Sequence, residues 1–182
     1  KLEKSIIFGS IFTAAPELVV STSTPYKKIQ QSTALAGVQK DVPNAQVGNI
    51  VNGLKIAGVW DVEGLEALSQ SKGRDGAVAI AKISSFLLQR FAQGTQIKLD
   101  ALWQELQAAP YGYYNCMACG YILGFLLRYY VNSEFSWNKG DNNPWPLTDQ
   151  TLATMITSLC KEEVVNNYLS PGSEVWQKFK PY

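Results

Sequence analysis

Histidine is absent from this chain of 182 residues, and cysteine and methionine are scarce, at three and two residues. The missing imidazole removes the commonest general base and the commonest metal ligand of proteins. The phosphate-binding motif G-x-x-x-x-G-K-[ST] is missing as well, so the sequence offers no P-loop for a nucleotide. These absences predict a chain without catalytic, metal-binding or cofactor-binding residues, and we expect no cofactor.

Charge is also sparse, with 17% charged residues and a net charge of +1. This balance gives no general attraction to nucleic acid or to acidic substrates. The charge is uneven, because residues 1–98 carry eleven Lys/Arg against seven Asp/Glu, and residues 99–182 carry five against eight. An apolar content of 46% and the lack of repeats are typical of a folded domain, or a small pair of domains, with a real core.

No apolar run is long enough to predict a membrane span without interruption. The segment Ala108–Leu127 contains no charged residue and is as long as a transmembrane helix. Pro110, Gly112 and Asn115 interrupt it, and Cys116–Leu127 alone has the length of a core helix. We therefore expect no membrane association. Three cysteines without an evident pairing predict a reducing, cytoplasmic compartment.

The most informative stretch begins at the turn Pro110–Gly112 and continues into an apolar helix that starts near Asn115. A helix that is apolar on nearly every side must be surrounded by other elements, so this one is predicted to form the core. The spacing of Gly120 and Gly124 predicts that a neighbouring helix approaches closely. Thr148 is the N-cap type that would begin a later helix.

The order of elements predicts the fold class. From residue 99 onward the patterns give helix, turn, long helix, strand, loop and helix. We predict a mainly α (α+β) fold with a small β contribution, in which residues 99–182 form a winged-helix-like helical module. Residues 1–98 form an N-terminal helical or α/β portion, with a long Ser/Thr/Pro-rich loop at residues 21–44.

The run from Leu99 to Leu127 resembles a segment of very large bacterial P-loop ATPases, which include the ATPases of BREX-type phage-defence systems and their relatives. In that family a short helix precedes a Pro-Pro-Tyr-Gly motif and an apolar helix rich in Leu and Ala. The chain departs from the motif at Ala109, which replaces the first proline. The resemblance covers about residues 99–160, and it implies a C-terminal accessory region of such an ATPase, without the nucleotide site.

Four aromatic residues flank turns and are candidates for a protein-interaction surface, because exposed aromatic side chains with few charges commonly mark such surfaces. They are Tyr113, Tyr114, Trp137 and Trp145. The alternative is that they only cover the apolar helix.

A basic turn that precedes a helix is a candidate for contact with an anion or nucleic acid, through Lys72 and Arg74. The alternative is an ordinary entry into the helix. Cys116 and Cys119 have the C-x-x-C spacing of zinc and redox sites. A zinc site needs four ligands, however, and the start of an apolar helix favours buried structural thiols. We predict slow reaction with thiol reagents.

These observations favour a non-catalytic interaction or scaffold module of a larger bacterial protein, in contact with other domains of the parent chain or with protein subunits. The resemblance implies that the parent is an ATPase. The chain begins at Lys1 and not at Met, and we expect an excised piece of a longer protein. The first alternative is a nucleic-acid-binding module of winged-helix type. The second is a stand-alone enzyme that uses carboxylates. The candidates for that role are Asp61, Glu63, Glu162 and Glu163.

Overall fold

The computed structural model of the chain describes residues 10–20, 26–60, 75–92, 96–131, 135–141, 143–163 and 166–171. These residues form a mainly helical fold with a small four-stranded antiparallel sheet, which confirms the predicted fold class. The α-helices are α1 Gln31–Gln39, α2 Ala45–Ile56, α3 Asp75–Ala92, α4 Leu99–Gln107, α5 Met117–Leu127 and α6 Asp149–Cys160. The strands are β1 Ile97–Lys98, β2 Phe135–Asn138, β3 Trp145–Pro146 and β4 Tyr168–Pro171.

Helix α5 is the centre of the core, as its apolar sequence predicts. Every one of its residues is buried. Helix α1 packs extensively against both α5 and α6, and α6 also packs against α5. Buried residues from both halves of the chain form a single apolar cluster around these helices. No helix in the described ranges combines the length and the apolar character needed to cross a bilayer.

Glycine explains how closely α1 approaches α5. A Cβ atom at Gly37 of α1 would overlap the backbone carbonyl of Tyr121. A Cβ atom at Gly124 of α5 would lie 2.6 Å from the carbonyl oxygen of Ala34. The close helix approach predicted from the glycine spacing is therefore confirmed, and α1 is the helix that approaches.

The loop predicted over residues 21–44 is wrong at its centre, because α1 occupies Gln31–Gln39. The segment contains Ser, Thr, Gln and Gly, and Gln30 caps it without a side-chain hydrogen bond. Its local signals are therefore weak. The burial of its small apolar residues against α5 stabilises this helix instead, as is common for short helices in proteins.

The starts of two helices were predicted from cap residues, and one of them is corrected. Thr148 accepts a hydrogen bond from the Thr151 amide and caps α6, as predicted. Helix α5 is capped by Cys116 and not by Asn115. The Asn115 side chain instead accepts a hydrogen bond of 3.1 Å from the amide of Ile29, which fixes the segment that leads into α1.

The sheet and the burial of α5 are the features to compare with the expected winged-helix-like module. The strand order is β1-β4-β2-β3, so β4 lies between β1 and β2. A winged-helix protein inserts an exposed helix into the major groove of DNA. Helix α5, the candidate for that role, has no exposed residue. In this fold α5 therefore has no exposed side chains that could enter the major groove of DNA.

Candidate functional site

The four aromatic candidates lie in two places. Trp137 and Trp145 are directly opposite each other on β2 and β3. Tyr113 and Tyr114 lie before α5, next to the turn that follows α4. The structure therefore divides the predicted interaction surface into a tryptophan pair and a tyrosine pair.

The tryptophan pair ends an apolar row that crosses the whole sheet. Ile97 pairs with Leu169, Leu169 pairs with Trp137, and Trp137 pairs with Trp145. Directly opposed residues of antiparallel strands place their side chains on the same face. Leu169 is 1% exposed and Trp145 is 52% exposed, so the row runs from the core at Leu169 to solvent at Trp145. We call this row the tryptophan edge.

Two features of β3 limit what can bind at the tryptophan edge. The strand has only two residues, and Pro146 has no amide hydrogen to donate to a further strand. Short edge strands with proline are a common protection against strand-to-strand association. Contact at this edge would therefore be made by side chains, with Trp145 as the most exposed of them.

Tyr113 is not part of any surface, because only 2% of it is exposed. Its ring packs edge-to-face against Trp103, with 6.2 Å between the ring centroids. Burial raises the pKa of the Tyr113 hydroxyl, which finds no hydrogen-bond partner among the described residues. The prediction of an interaction role is wrong for this residue, because its ring completes the core between α4 and α5.

Tyr114 is 39% exposed and faces a different set of residues. Its ring stacks on Tyr26 at 6.4 Å between centroids, and the Tyr26 hydroxyl donates a hydrogen bond of 2.8 Å to the carbonyl of Val20. Burial raises the pKa of Glu17. Tyr114 lies close enough to the carboxyl group of Glu17 to lower the pKa of that group, against the larger effect of burial. Tyr114 therefore covers a half-buried carboxyl group, and its surface is less open than that of Trp145.

The three cysteines are free and fully buried. The Cys116 sulfur accepts a hydrogen bond of 3.4 Å from the Cys119 amide at the start of α5. A hydrogen bond from the Cys119 side chain lowers the pKa of Cys116, against the opposing effect of burial. Burial raises the pKa of Cys119 and of Cys160. The pair is arranged like the two thiols of a redox motif, but its burial limits access by reagents.

Of the other candidate residues, the structure describes only Glu162 and Glu163. Lys72, Arg74, Asp61 and Glu63 lie outside the described residues. Glu162 and Glu163 follow α6 and are exposed. Among the described residues, no group of three or more Cys, Asp or Glu side chains could hold a metal ion.

A shallow groove of about 140 Å³ lies between the end of α3 and the start of α4. It is lined by Arg90, Gln96, Ile97, Lys98, Ala101, Leu102 and Glu105. Its charges are largely matched, because Arg90 pairs with Glu105 across the groove, and Lys98 pairs with Asp100 at 2.9 Å. The groove thus offers no pair of free carboxylates for acid–base chemistry.

Comparison with known proteins adds no relative, since the chain matches no family model, no curated protein and no solved structure.

Proposed function

We propose that this chain is a non-catalytic interaction module of a larger bacterial ATPase, and that it binds another domain of the parent chain or another protein subunit through the tryptophan edge. The exposure of Trp145 at the end of an apolar row carries the proposal. The resemblance of residues 99–160 to the accessory region of large P-loop ATPases supports the choice of parent.

Tryptophan is the residue type most suited to this role. Buried tryptophan side chains are enriched among the residues that contribute most of the binding free energy at protein interfaces. Trp145 and Trp137 lie side by side, so a partner that covers Trp145 would also reach the exposed part of Trp137. The apolar row continues to the buried Leu169, which lies directly opposite Trp137, and Trp137 packs against the core.

The cellular compartment is part of the same proposal. We place the module in the cytoplasm, because the C-x-x-C pair and Cys160 are free thiols. A reducing compartment keeps such thiols in this state.

Nucleic-acid binding is the second candidate, and it would not use α5. Any such binding would depend on basic residues elsewhere in the fold. Two lysines of the first half of the chain, Lys40 and Lys55, both lie near the ring of Trp60.

Site-specific photocrosslinking in the bacterial cell tests the interaction proposal. The codon for Trp145 in the native gene is changed so that a photoreactive phenylalanine analogue is incorporated at this position. The same analogue at the exposed Lys139, near the same hairpin, is the matched control. We expect the analogue at position 145 to crosslink to one discrete site, in the parent chain or in one subunit. An immunoblot should also show the native product far above the 20.1 kDa of this chain.

Two outcomes would contradict the proposal. No crosslink at position 145, or equal crosslinking from position 139, would show that the tryptophan edge has no specific partner. A native product of 20.1 kDa would exclude the proposal that the chain is part of a larger ATPase.

A further inference from the structure

Trp60 brings together two lysines that are far apart in the sequence. The Lys40 ammonium nitrogen lies 5.2 Å from the centroid of the Trp60 ring, and the Lys55 nitrogen lies 5.7 Å from it. Lys40 is the C-cap of α1, and Lys55 is in the last turn of α2. The ring itself stacks on Phe125 of α5, with 5.7 Å between centroids and 11° between planes. Both ammonium groups, one from the C-cap of α1 and one from α2, thus lie near the same aromatic ring.

The positive charge at this place has no matching carboxylate in the described part of the chain. The ion pairs there are Arg90–Glu105 and Lys98–Asp100. The neighbouring Asp41 uses a carboxylate oxygen to accept a hydrogen bond of 2.7 Å from the Val42 amide. The face of an aromatic ring attracts each ammonium group, but the two groups repel each other. An anion that contacts both ammonium groups would offset this repulsion.

The backbone of Lys40 decides which substitution can test this place. Its φ of 57° and ψ of 43° place it in the left-handed region, as does the φ of 59° of Glu162 after α6. Helices commonly end in this conformation with glycine, because a Cβ atom makes it unfavourable. Lys40→Gly would therefore remove the ammonium group without a cost to the backbone.

Arg128 adds a third cation to the same stack of rings. Its guanidinium carbon lies 4.0 Å from the centroid of Phe125, the ring on which Trp60 stacks. The group is half buried, donates to the Phe125 carbonyl and the Tyr129 hydroxyl, and forms no ion pair with a described carboxylate. Burial of a charge without a counter-charge is costly.

We propose that Lys40 and Lys55 form, over Trp60, a binding site for phosphoryl groups, supplied by a free oligophosphate or by the backbone of a nucleic acid. Lysine binds phosphate as a compact point charge, and two such charges suit a multiply charged anion better than a single carboxylate. Trp60 is only 8% exposed, so a nucleobase cannot stack on it. Recognition is therefore by charge and independent of base identity.

Isothermal titration with sodium tripolyphosphate tests the site at low ionic strength. Lys40→Gly removes the cation and relieves the left-handed backbone, so its thermal midpoint should stay the same or rise. Lys55→Gln removes the other cation without a change of backbone type. Lys161→Gln is the control, because Lys161 is an exposed lysine that follows α6.

We expect tripolyphosphate to bind with an affinity that falls as salt increases. Each of the two site variants should weaken binding by about tenfold, and the control should change it by less than about twofold. A single-stranded oligonucleotide, titrated at equal phosphate concentration, identifies the source. Tighter binding of the oligonucleotide indicates a nucleic-acid backbone, and tighter binding of tripolyphosphate indicates a free oligophosphate.

The proposal is overturned if neither anion binds at millimolar concentration, or if Lys161→Gln weakens binding as much as the site variants. A Lys40→Gly protein that melts at a lower temperature but binds normally would also overturn it, since the lysine would then serve the fold alone. Lys55→Gln gives a separate result if Lys40→Gly fails to fold.

Discussion

Helix α5 and strand β3 are both rich in apolar side chains, but the fold covers the helix completely and leaves the strand half in solvent. The helix is covered because Gly37 and Gly124 allow α1 to approach its backbone directly. The strand is left open because it lies at the edge of the sheet and ends in Pro146, which cannot pair with a further strand. Apolar composition alone therefore does not separate core from exposed surface. The glycines between the packed helices and the proline at the end of the edge strand make that distinction.

The largest effect should come from a side chain added between α1 and α5. Gly37→Val places a Cβ atom against the Tyr121 carbonyl, and because a backbone atom cannot move aside, we expect a loss above the usual 1–3 kcal/mol of overpacking, or no folded protein. Circular dichroism during urea unfolding measures it. Gly48→Ala is the control, because its Cβ would meet only a Val42 methyl at 3.8 Å, and it should stabilise the protein by about 0.5–1 kcal/mol. A folded Gly37→Val protein of normal stability would contradict the close helix contact.

Removal of a core ring should have the next largest effect. Phe125 is 2% exposed and stacks on Trp60, so Phe125→Ala should cost about 3–5 kcal/mol in urea unfolding. Leu88 on α3 is 38% exposed, and Leu88→Ala should cost less than about 1 kcal/mol. A loss below about 1 kcal/mol for Phe125→Ala would mean that α5 is not the centre of the core.

A smaller effect should depend on pH at Glu17. Burial raises the folded-state pKa of this carboxyl above its ordinary value of 4.5. The stability that depends on its proton is therefore complete below pH 4.5 and is lost as the pH rises through the folded-state value. Glu17→Gln should reduce the fall in urea midpoint between pH 4 and pH 7, as measured by tryptophan fluorescence. Exposed Glu163→Gln should leave that fall unchanged, and an equal fall in both variants would exclude Glu17 as its source.

The smallest effect on stability should be that of Trp145→Ser. Because Trp145 is half exposed, we expect a loss below about 1 kcal/mol by thermal unfolding. Trp137→Ser should cost more, since Trp137 packs against the core. Equal losses for the two variants would show that Trp145 serves the fold and not a partner.

Much of the helical fold could be predicted, because several helices carry a clear pattern of their own. Helices α4, α5 and α6 follow from apolar spacing, apolar content and the Thr148 cap. Helix α1 could not be predicted, since its short, polar and small residues resemble a loop, and the fold stabilises it through contacts made far away in the sequence. A sequence pattern predicts a helix only where the helix has its own local signals, and α1 has few of them.

The candidate sites show the same limit. The exposure of Trp145 was predictable from the turn-rich residues around it. Tyr113 has similar neighbours in the sequence, but its burial depends on Trp103 of another helix. The lysines around Trp60 carry no local signal, because Lys40 caps a different helix from the one that contains Lys55, and only the packing of α1 and α2 against α5 brings them to the same ring.

The covering of α5 by α1 and α6 also sets an order for folding during synthesis. The hydrogen bond from Tyr121 to the Asp41 carbonyl joins residues 80 positions apart, and that from Gln31 to Thr154 joins residues 123 positions apart. Contacts of such long sequence separation slow folding, and domains tend to fold as units as they leave the ribosome. The most apolar of the described helices is therefore made before Asp149–Cys160, the helix that completes its cover, and until then α1 alone of these two helices can cover it.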